Sequence, residues 1–543
     1  MKNKKHWMLA LSLLFAAFMS IPFLVPHAGF TALFGIVPLL FMDVIADSGK
    51  VKHFFWWYYL AFVMWNAATT FWVCNATVGG GIFAVLANAF QMALIFAVYR
   101  LSKKKFNPIV SHIFLAVMWL AWERFYFSAE ISWPWLTLGN AFAGSIKMIQ
   151  WYEFTGALGG SLWIWVCNLM LFYIMLLALG NHFRDMKPAG RIALPLAYFI
   201  LIAAPMLLSL HMYDSYRENE SQGIDVLIGQ PNFDPYQKFQ SMSQAQQNQV
   251  LLDLFKTELD SPGRVALPQL LLAPETFTSD IMMNSVSSSE TFRTFNTFLL
   301  DYPGVNLLFG ASTYEYLLDD NPSSYTARKT RDGLWYETHN TAFITDHTGR
   351  EEYCHKSCLV VGTEKMPYPR IFGPLDDKLG GVMGRCVGQG EPSVLYVDGF
   401  DSNGRLVSEV PVGCAICYES VYGEFCTGYV RKGARALTII TNDAWWGDTP
   451  GYRQHLSYAS LRAIETRRDI ARCGNTGISA FINQRGDIVS QSHWWERETL
   501  EGIIYLNNEQ TFFVRNGDIA GKAGTLLFLL LLLVLLVRFI IRK

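Results

Sequence analysis

Three side chains that could cooperate in nucleophilic catalysis lie far apart in the sequence, at Glu275, Lys356 and Cys417. A thiol is a strong nucleophile once it is ionised, and a carboxylate such as Glu275 can remove its proton. An ammonium such as Lys356 can stabilise the oxyanion that forms when the thiol attacks a carbonyl group. These residue types, in this order along the chain, predict acyl chemistry through a covalent intermediate on Cys417.

Each of the three has an ordinary structural explanation when taken alone. A glutamate after a strand is usually a solvated loop acid, and a cysteine at a strand end is usually a buried apolar side chain. Cys414 and Cys417 also have the spacing of a redox or zinc motif, and Cys354 and Cys358 could supply two further ligands. No second Cys-x-x-Cys follows, and the nine cysteines are irregularly spaced, so we expect neither a disulfide framework nor a metal site.

The elements that would position these residues form a polar block at 213–522, in which short apolar strands alternate with helical segments. Glu275 and Cys417 each end such a strand, and Lys356 follows another strand and a turn. Side chains at strand ends can converge on one cleft in folds of this kind. The pattern predicts an α/β domain with α–β–β–α layers, a helix at 237–257 and strands at 224–232, 267–275, 305–312, 336–346, 409–419, 436–443 and 477–483.

Eight apolar segments surround this block, and we expect each to cross a bilayer as a helix. The predicted fold class is a polytopic α-helical membrane bundle of eight transmembrane helices, with the α/β domain inserted before the last one. Residues 1–212 would hold helices 1–7, residues 213–522 the catalytic domain, and residues 523–543 helix 8 and a tail. The helices are predicted at 7–25, 29–46, 54–76, 80–100, 108–128, 159–180, 191–212 and 523–540.

Basic residues in the short loops predict the topology. Lys2, Lys4 and Lys5 precede an apolar run that could be a cleaved signal peptide, but no clear cleavage site precedes Pro22, so we expect a retained helix. The other basic residues cluster in alternate loops and in the tail, which places both termini in the cytoplasm and the block 213–522 outside it. The predicted inner side holds Lys50, Lys52, Arg100, Lys103, Lys104, Lys105, Arg184, Lys187, Arg191, Arg538, Arg542 and Lys543.

The composition agrees with a membrane protein and argues against nucleic-acid binding. Hydrophobic residues make up 51% of the 543 residues, charged residues make up 16%, and the net charge is −1. Glu123 is costly to place in lipid, so we expect it to face the bundle interior or water and to have a partner. The aromatic loop 129–158 is either an interfacial belt of Trp and Tyr or one wall of a cleft that admits lipid.

The segments around the three reactive residues resemble the nitrilase superfamily, whose catalytic triad is Glu, Lys, Cys in that chain order. Pro274-Glu275-Thr276 is similar to its first motif, the segment Tyr353–Glu364 to its lysine motif, and Cys417-Tyr418-Glu419 to its nucleophile motif. With the membrane segments included, the whole chain resembles the apolipoprotein N-acyltransferases, bacterial enzymes that N-acylate lipoproteins. Further similarity covers the loop Asn442–Gly447 and the residues Arg472, Asn475, Gly477, Ile478 and Ser479.

The resemblance implies a role for each matched residue. Glu275, Lys356 and Cys417 would be catalytic, and Glu364, Tyr418 and Glu419 would support them. We assign Phe239, Asn442, Trp446 and Phe372 to substrate binding. Two departures from the family pattern stand out: Val361-Gly362-Thr363 replaces the usual Pro-Phe-Gly before Glu364, and Phe239 stands where a Trp is common.

The activity that the resemblance implies is transfer of an acyl chain from a phospholipid, through a Cys417 thioester, to the amino group of a diacylated apolipoprotein. No metal or cofactor is required, and we expect a monomer in the bacterial inner membrane with its catalytic domain on the periplasmic side. One alternative is a membrane-tethered amidase or nitrilase that uses water as the second acceptor. Another is a transporter or receptor, which would need more polar residues in the apolar segments.

The segment 366–382 combines an apolar cluster with several Pro and Gly residues. We expect a mobile amphipathic lid that dips into the membrane interface beside Cys417. The alternative is that these side chains pack onto the core of the catalytic domain. The cluster consists of Met366, Tyr368, Ile371, Phe372 and Leu375.

Overall fold

The computed structural model describes residues 2–180, 183, 186–235, 238, 242–319, 322–378, 383–400 and 406–541. The chain divides into two compact units. Residues 1–216, 448–461 and 516–543 form one, which we call the helical unit, and residues 217–447 and 462–515 form the other, which we call the sheet unit.

The helical unit contains long apolar helices. Six stretches are long and apolar enough to cross a membrane: Lys4–Leu24, Gly29–Gly49, Val78–Ser102, Tyr152–Leu179, Pro188–Ser215 and Ile519–Ile541. The helices themselves span Lys2–Leu24, Ala32–Gly35, Val37–Gly49, Phe54–Thr70, Val73–Ala76, Val78–Ser102, Pro108–Tyr126, Tyr152–Leu179, Pro188–Ser215 and Ile519–Ile541.

Two of the eight predicted spans form helices that are not among these six stretches. Phe54–Thr70 has 17 residues, which is about 26 Å of helix against a hydrocarbon core of about 30 Å. Pro108–Tyr126 carries His112, Glu123 and Arg124, which lower its apolar character. The described residues therefore contain six stretches that are long and apolar enough to cross a membrane, whereas eight spanning helices remain a prediction.

The stretch predicted as one helix at 29–46 is broken at Ile36, and a buried side chain compensates for the break. Asn168 Oδ1 accepts hydrogen bonds from the backbone N–H groups of Ile36 (2.7 Å) and Val37 (3.2 Å). Its Nδ2 donates to the carbonyl oxygens of Ala32 and Ile164, both at 2.8 Å. Backbone groups left without partners in an apolar bundle are costly, so Asn168 makes the break tolerable.

Glu123 and Gln454 are among the other buried polar side chains of the helical unit. Glu123 is 2% exposed and accepts hydrogen bonds from Leu138 N at 2.7 Å and Trp119 Nε1 at 3.1 Å, which confirms that it faces the interior with partners. Gln454, in the segment 448–461, accepts from Trp135 Nε1 (2.7 Å) and Trp72 Nε1 (3.2 Å). The two polar side chains therefore satisfy one backbone N–H group and the indole N–H groups of Trp119, Trp135 and Trp72.

Two β-sheets form the core of the sheet unit. The strands are β1 Gly223–Gln230, β2 Leu270–Leu272, β3 Thr278–Met282, β4 Asn306–Tyr316, β5 Arg328–Lys329, β6 Trp335–Thr345, β7 Glu352–His355, β8 Val394–Phe400, β9 Leu406–Ile416, β10 Ala436–Thr441, β11 Ile470–Gly474, β12 Ala480–Ile482, β13 Ile488–Gln491 and β14 Glu498–Tyr505. One sheet has the order β14-β1-β2-β4-β6-β5, with β3 also paired to β4 and β7 to β6, and the other has the order β13-β12-β11-β10-β9-β8.

The sheets pack face to face and helices cover their outer faces. Alternate residues of β1 show the layering, because Val226 and Ile228 lie in the core between the sheets whereas Leu227 lies in the core beneath the helices. The helices of this part of the chain are Gln244–Leu259, Glu290–Leu300, Pro369–Lys378, Gly423–Arg431, Pro450–Thr466 and Phe512–Asn516. The first residues of Pro450–Thr466, up to Leu461, belong to the helical unit. Short 3₁₀ turns span Met283–Ser288, Cys417–Val421 and Asp443–Trp446. The predicted α–β–β–α layering is thus the observed one.

Each of the seven strands predicted from the apolar pattern overlaps an observed strand. Among the described residues, the structure contains seven further strands that the pattern did not predict. Those seven are β3, β5, β7, β8, β11, β13 and β14. Several of them are short or lie near sheet edges, where polar residues interrupt the apolar pattern. The helix predicted at 237–257 is observed from Gln244, after a capping box formed by Ser243 and Gln246.

Candidate active site

Glu275 lies just after β2 on a tight turn that depends on a glycine of β4. Gly310 O accepts a hydrogen bond from Phe277 N at 2.8 Å, and Gly310 N donates to Pro274 O at 3.1 Å. A Cβ atom on Gly310 would lie 2.6 Å from Glu275 Cα, which is too close for any side chain. Thr276 has φ +46°, a conformation that L-residues rarely adopt. The turn therefore fixes the backbone that carries the Glu275 carboxylate.

The Glu275 carboxylate is 6% exposed and accepts three hydrogen bonds. Its Oε1 accepts from Lys356 Nζ at 3.0 Å and from Asn340 Nδ2 at 2.8 Å. Its Oε2 accepts from the backbone N–H of Asn442 at 3.1 Å. Donors from three different parts of the chain thus hold the carboxylate in one orientation.

Lys356 follows β7, and its ammonium lies between two carboxylates. Lys356 Nζ is 3.0 Å from Glu275 Oε1 and 3.0 Å from Glu364 Oε1, and the residue is 1% exposed. Burial alone would lower the pKa of Lys356, but the negative charges of Glu275 and Glu364 raise it well above the usual lysine range. The ammonium is therefore permanently charged at neutral pH.

Glu364 reaches the site although the loop before it departs from the family pattern. Gly362 has φ +91° and its N–H donates to Lys365 O at 2.8 Å, which closes a tight turn. Glu364 Oε1 accepts from Asn340 Nδ2 at 2.7 Å, and Oε2 accepts from Val360 N at 2.7 Å. Val361-Gly362-Thr363 therefore allows the contact between Glu364 and Lys356 that the spacing predicts.

Cys417 follows the last residue of β9 and begins the 3₁₀ turn Cys417–Val421. It has φ +51°, a strained conformation that typically costs about 1–3 kcal/mol and often marks a functional residue. The side chain is 9% exposed. Burial, reinforced by the negative charge of Glu275, raises the pKa of the Cys417 thiol, and Lys356 only partly opposes this effect. The resting thiol is therefore protonated at neutral pH and needs a base before it can attack.

Glu419 joins the backbone near Lys356 to the backbone before Cys417. Its Oε1 accepts from Ser357 N at 2.6 Å and Cys358 N at 3.2 Å. Its Oε2 accepts from Ile416 N at 2.8 Å and from Tyr429 OH at 3.1 Å. Burial raises the pKa of Glu419 although these N–H donors oppose it. This carboxyl group therefore connects the segments that carry the lysine and the cysteine.

Three residues near the triad were not assigned a role from the sequence. Asn340 donates from one amide nitrogen to both Glu275 and Glu364, and nothing in the apolar pattern of β6 distinguishes it. Asp443 and Arg472 form a fully buried ion pair directly after the Asn442 backbone that binds Glu275. Asp443 and Arg472 lie in segments that resemble family motifs, so the resemblance could have identified these two residues from the sequence.

The remaining predicted site residues take different positions. Tyr418 is buried and its ring lies edge-on to Tyr422, with the ring centroids 5.2 Å apart. Asn442 contacts Glu275 through its backbone, whereas its side chain accepts a hydrogen bond from Asn475 Nδ2 at 3.2 Å. Trp446 is half-buried, and Phe372 is 40% exposed on the helix Pro369–Lys378. Phe239 lies outside the described residues, and substrate contacts of all four residues stay predictions.

The structure gives Cys414 a packing role. Cys414 lies in the core between the two sheets, where burial raises the pKa of its thiol to about 12. Among the described residues, Cys354, Cys358 and Cys414 form no cluster of three metal-ligating side chains. All nine cysteines are described, and none takes part in a disulfide.

Two family models match this chain. The apolipoprotein N-acyltransferase N-terminal domain matches residues 13–170, and the carbon-nitrogen hydrolase domain matches residues 325–511. The second match includes Lys356, Glu364 and Cys417, and the first covers most of the apolar segments before them.

Curated relatives extend the similarity over as much as 90% of the chain. The apolipoprotein N-acyltransferase of Chlorobaculum tepidum is 26% identical over 509 residues, which cover 90% of both chains. The protein of that name from Geobacter metallireducens is 24% identical over 86% of this chain and 81% of its own. The one from Thermotoga maritima is 27% identical over 48% of this chain and 50% of its own.

The geometry predicts different results for two nearby lysines. Under the thioester mechanism that the sequence predicts, Lys356→Ala should slow formation of the acyl-enzyme from an activated ester by about 10²–10³-fold, because it removes the predicted oxyanion donor and leaves two carboxylates facing each other. Lys365→Ala should retain most activity, since Lys365 closes the turn through its backbone. Stopped-flow acylation of both variants, with folding checked by thermal melting, measures the difference. The reverse order would contradict the assignment of Lys356.

Proposed function

The resemblance to the apolipoprotein N-acyltransferases is confirmed, and we propose that this N-acyltransferase moves an acyl chain from a phospholipid to the N-terminal amino group of a diacylglyceryl-cysteine apolipoprotein. The single observation that carries the mechanism is the network of Glu275, Lys356 and Glu364 beside Cys417. A protonated thiol, a carboxylate base and a fixed ammonium are the groups that acyl transfer through a thioester requires.

In the first half-reaction Cys417 attacks the ester carbonyl carbon of the phospholipid. Glu275 accepts the thiol proton, and the sulfur forms a bond to the carbonyl carbon. The tetrahedral intermediate collapses by breaking its bond to the glycerol oxygen, which receives the proton from Glu275 and leaves as part of a lysophospholipid. The acyl chain then remains on Cys417 as a thioester.

In the second half-reaction the amino group of the apolipoprotein attacks the thioester carbonyl carbon. Glu275 accepts a proton from the attacking nitrogen, and the carbon–sulfur bond breaks. The departing sulfur regains a proton from Glu275, so Cys417 returns to its starting state and the product is an amide. One carboxylate thus serves both steps, as base and then as acid.

Lys356 is well placed to stabilise the oxyanion in both steps. An ammonium has three N–H bonds, and Lys356 directs two of them at Glu275 and Glu364. One N–H bond and the positive charge are therefore available for the developing oxyanion. Glu364 orients the ammonium, and Glu419 keeps the Lys356 segment next to the turn of Cys417.

We place the reaction at a membrane surface because the substrates are lipids. The proposal includes eight spanning helices, both termini in the cytoplasm, and residues 213–522 on the periplasmic side of a bacterial inner membrane. Six apolar stretches and the alternation of basic loops support it. We propose a monomer that needs no metal or dissociable cofactor.

The helix Pro369–Lys378 supports a proposed contact with acyl chains. Ile371 is 69% exposed and Phe372 is 40% exposed, whereas Met366 of the predicted lid cluster is buried. Exposed apolar side chains on a short helix favour contact with lipid or with another partner. Part of the predicted lid, 379–382, lies outside the described residues, and we propose the contact for Ile371 and Phe372 only.

A membrane-tethered amidase is the second candidate. The carbon-nitrogen hydrolase match at 325–511 favours it, since that chemistry uses water where the transferase uses an amine. The match of residues 13–170 to an N-acyltransferase domain favours the transferase, because hydrolysis of a soluble amide needs only one membrane anchor.

Incubation with phospholipid should add the mass of one fatty acyl group to the purified enzyme. We expect this shift in the wild type and in Cys414→Ala, since Cys414 packs in the core. Cys417→Ala should show no shift, because it lacks the thiol that forms the thioester. Addition of a diacylated lipopeptide should then remove the shift and give a triacylated product, both measured by mass spectrometry. Hydrolysis of soluble amides without lipopeptide acylation would favour the amidase.

The double variant Ile371→Ser/Phe372→Ser should distinguish lipid contact from core packing. If these side chains contact lipid, the apparent KM should rise more for vesicle-borne phospholipid than for a short-chain ester dispersed in detergent. Leu334→Ser is a matched control, since Leu334 is an exposed apolar residue of the sheet unit (57%). Equal effects on both substrates with a lower Tm would contradict lipid contact.

A further inference from the structure

Lys238 is buried against the backbone that follows Glu275. The residue is 7% exposed, and its Nζ donates to the carbonyl oxygens of Thr276 at 2.6 Å and Phe277 at 2.7 Å. The same nitrogen lies 5.6 Å from the centre of the Phe277 ring. The Lys238 ammonium therefore lies against the two residues next to Glu275 on the turn that carries it.

The backbone of Lys238 is itself held in place. Lys238 N donates to Asp234 O at 2.8 Å, and Lys238 O accepts from the Gln247 amide at 2.9 Å. Gln247 is 1% exposed on the helix Gln244–Leu259. The bonds from Nζ therefore start from a fixed backbone, so they can restrain the turn after Glu275.

A buried lysine without a catalytic role needs another explanation, because removing an ammonium from water is costly. Burial lowers the pKa of Lys238 to about 7, so the amine is partly neutral near pH 7. A neutral amine still has two N–H bonds, which is enough for two carbonyl oxygens. The hydrogen bonds to Thr276 and Phe277 therefore persist in either protonation state.

The two carbonyl groups belong to a turn that needs support. Thr276 has a positive φ, and Gly310 of β4 binds the same turn through Pro274 O and Phe277 N. Lys238 binds the carbonyl groups of Thr276 and Phe277, and Gly310 binds the groups on either side of Glu275. Together, the two restraints limit how far the Glu275 carboxylate can move away from its three hydrogen-bond donors.

We propose that Lys238 is a positioning residue for the acyl transfer, which holds the Thr276–Phe277 turn and thereby keeps the Glu275 carboxylate on Lys356, Asn340 and Asn442. The inference deepens the proposed function, because it assigns a residue to the proton transfers of Glu275. A misplacement of about 1 Å at a catalytic group can cost about 10²-fold in rate. Loss of the two bonds should therefore affect catalysis more than binding.

The test uses acyl-enzyme formation from an activated soluble ester across pH, with the full-length protein in detergent. Lys238→Met keeps the length of the side chain but has no donor, so the rate should fall about 10- to 100-fold with little change in KM. The acidic limb of the pH profile should move to higher pH, because a carboxylate that loses donors is harder to ionise. Lys238→Arg keeps donors and should restore the acidic limb.

The controls separate positioning from stability. Lys256→Met changes an exposed lysine on the helix Gln244–Leu259 and should match the wild type. If Lys238→Met does not fold, Lys238→Gln retains one donor group and should move the acidic limb in the same direction by less. An unchanged acidic limb and wild-type rate per folded enzyme, with only a lower Tm, would overturn the proposal. The soluble ester needs no lipid acceptor, so this outcome is independent of whether the natural acceptor is a lipoprotein.

Discussion

The site depends on one buried ammonium held between two carboxylates. Lys356 is almost fully enclosed and lies 3.0 Å from Glu275 and 3.0 Å from Glu364. A buried charge is tolerated only where opposite charges and hydrogen bonds compensate it, so the surrounding chain must supply those groups. Asn340, the Asn442 backbone and the Val360 backbone supply the remaining hydrogen bonds to the two carboxylates.

This arrangement sets the conditions under which Cys417 would act as the proposed nucleophile. Burial and Glu275 together raise the pKa of Cys417, so the thiol does not ionise by itself near neutral pH. In the proposed reaction, proton transfer to Glu275 moves negative charge from the carboxylate to the sulfur without changing the net charge of the site. Lys356 stays close to that charge throughout. A protonated resting thiol is also less prone to oxidation than a thiolate.

The convergence of Glu275, Lys356 and Cys417 could be predicted from the sequence because they are chemically distinctive residues in segments that resemble family motifs. The contacts of Asn340 and the positioning role proposed for Lys238 could not, because both depend on tertiary placement. Asn340 reaches Glu275 and Glu364 only because β6 pairs with β7 in the register Thr341 to His355, which brings Asn340 beside Lys356. The layered fold followed from strand alternation, whereas short edge strands such as β13 gave too weak an apolar pattern. The break at Ile36 was missed because its compensation comes from Asn168, which is distant in sequence.

The charges of Glu275 and Lys356 oppose each other in setting the pKa of Cys417. The most direct test is the pH dependence of Cys417 alkylation in Glu275→Gln and Lys356→Met, measured by mass spectrometry on the folded proteins. We predict that the pKa of Cys417 falls in Glu275→Gln, which has more thiolate than the wild type yet forms acyl-enzyme slowly, and rises in Lys356→Met. Shifts in the same direction, or no shift in either variant, would show that these two charges do not set the pKa of Cys417 in opposite directions.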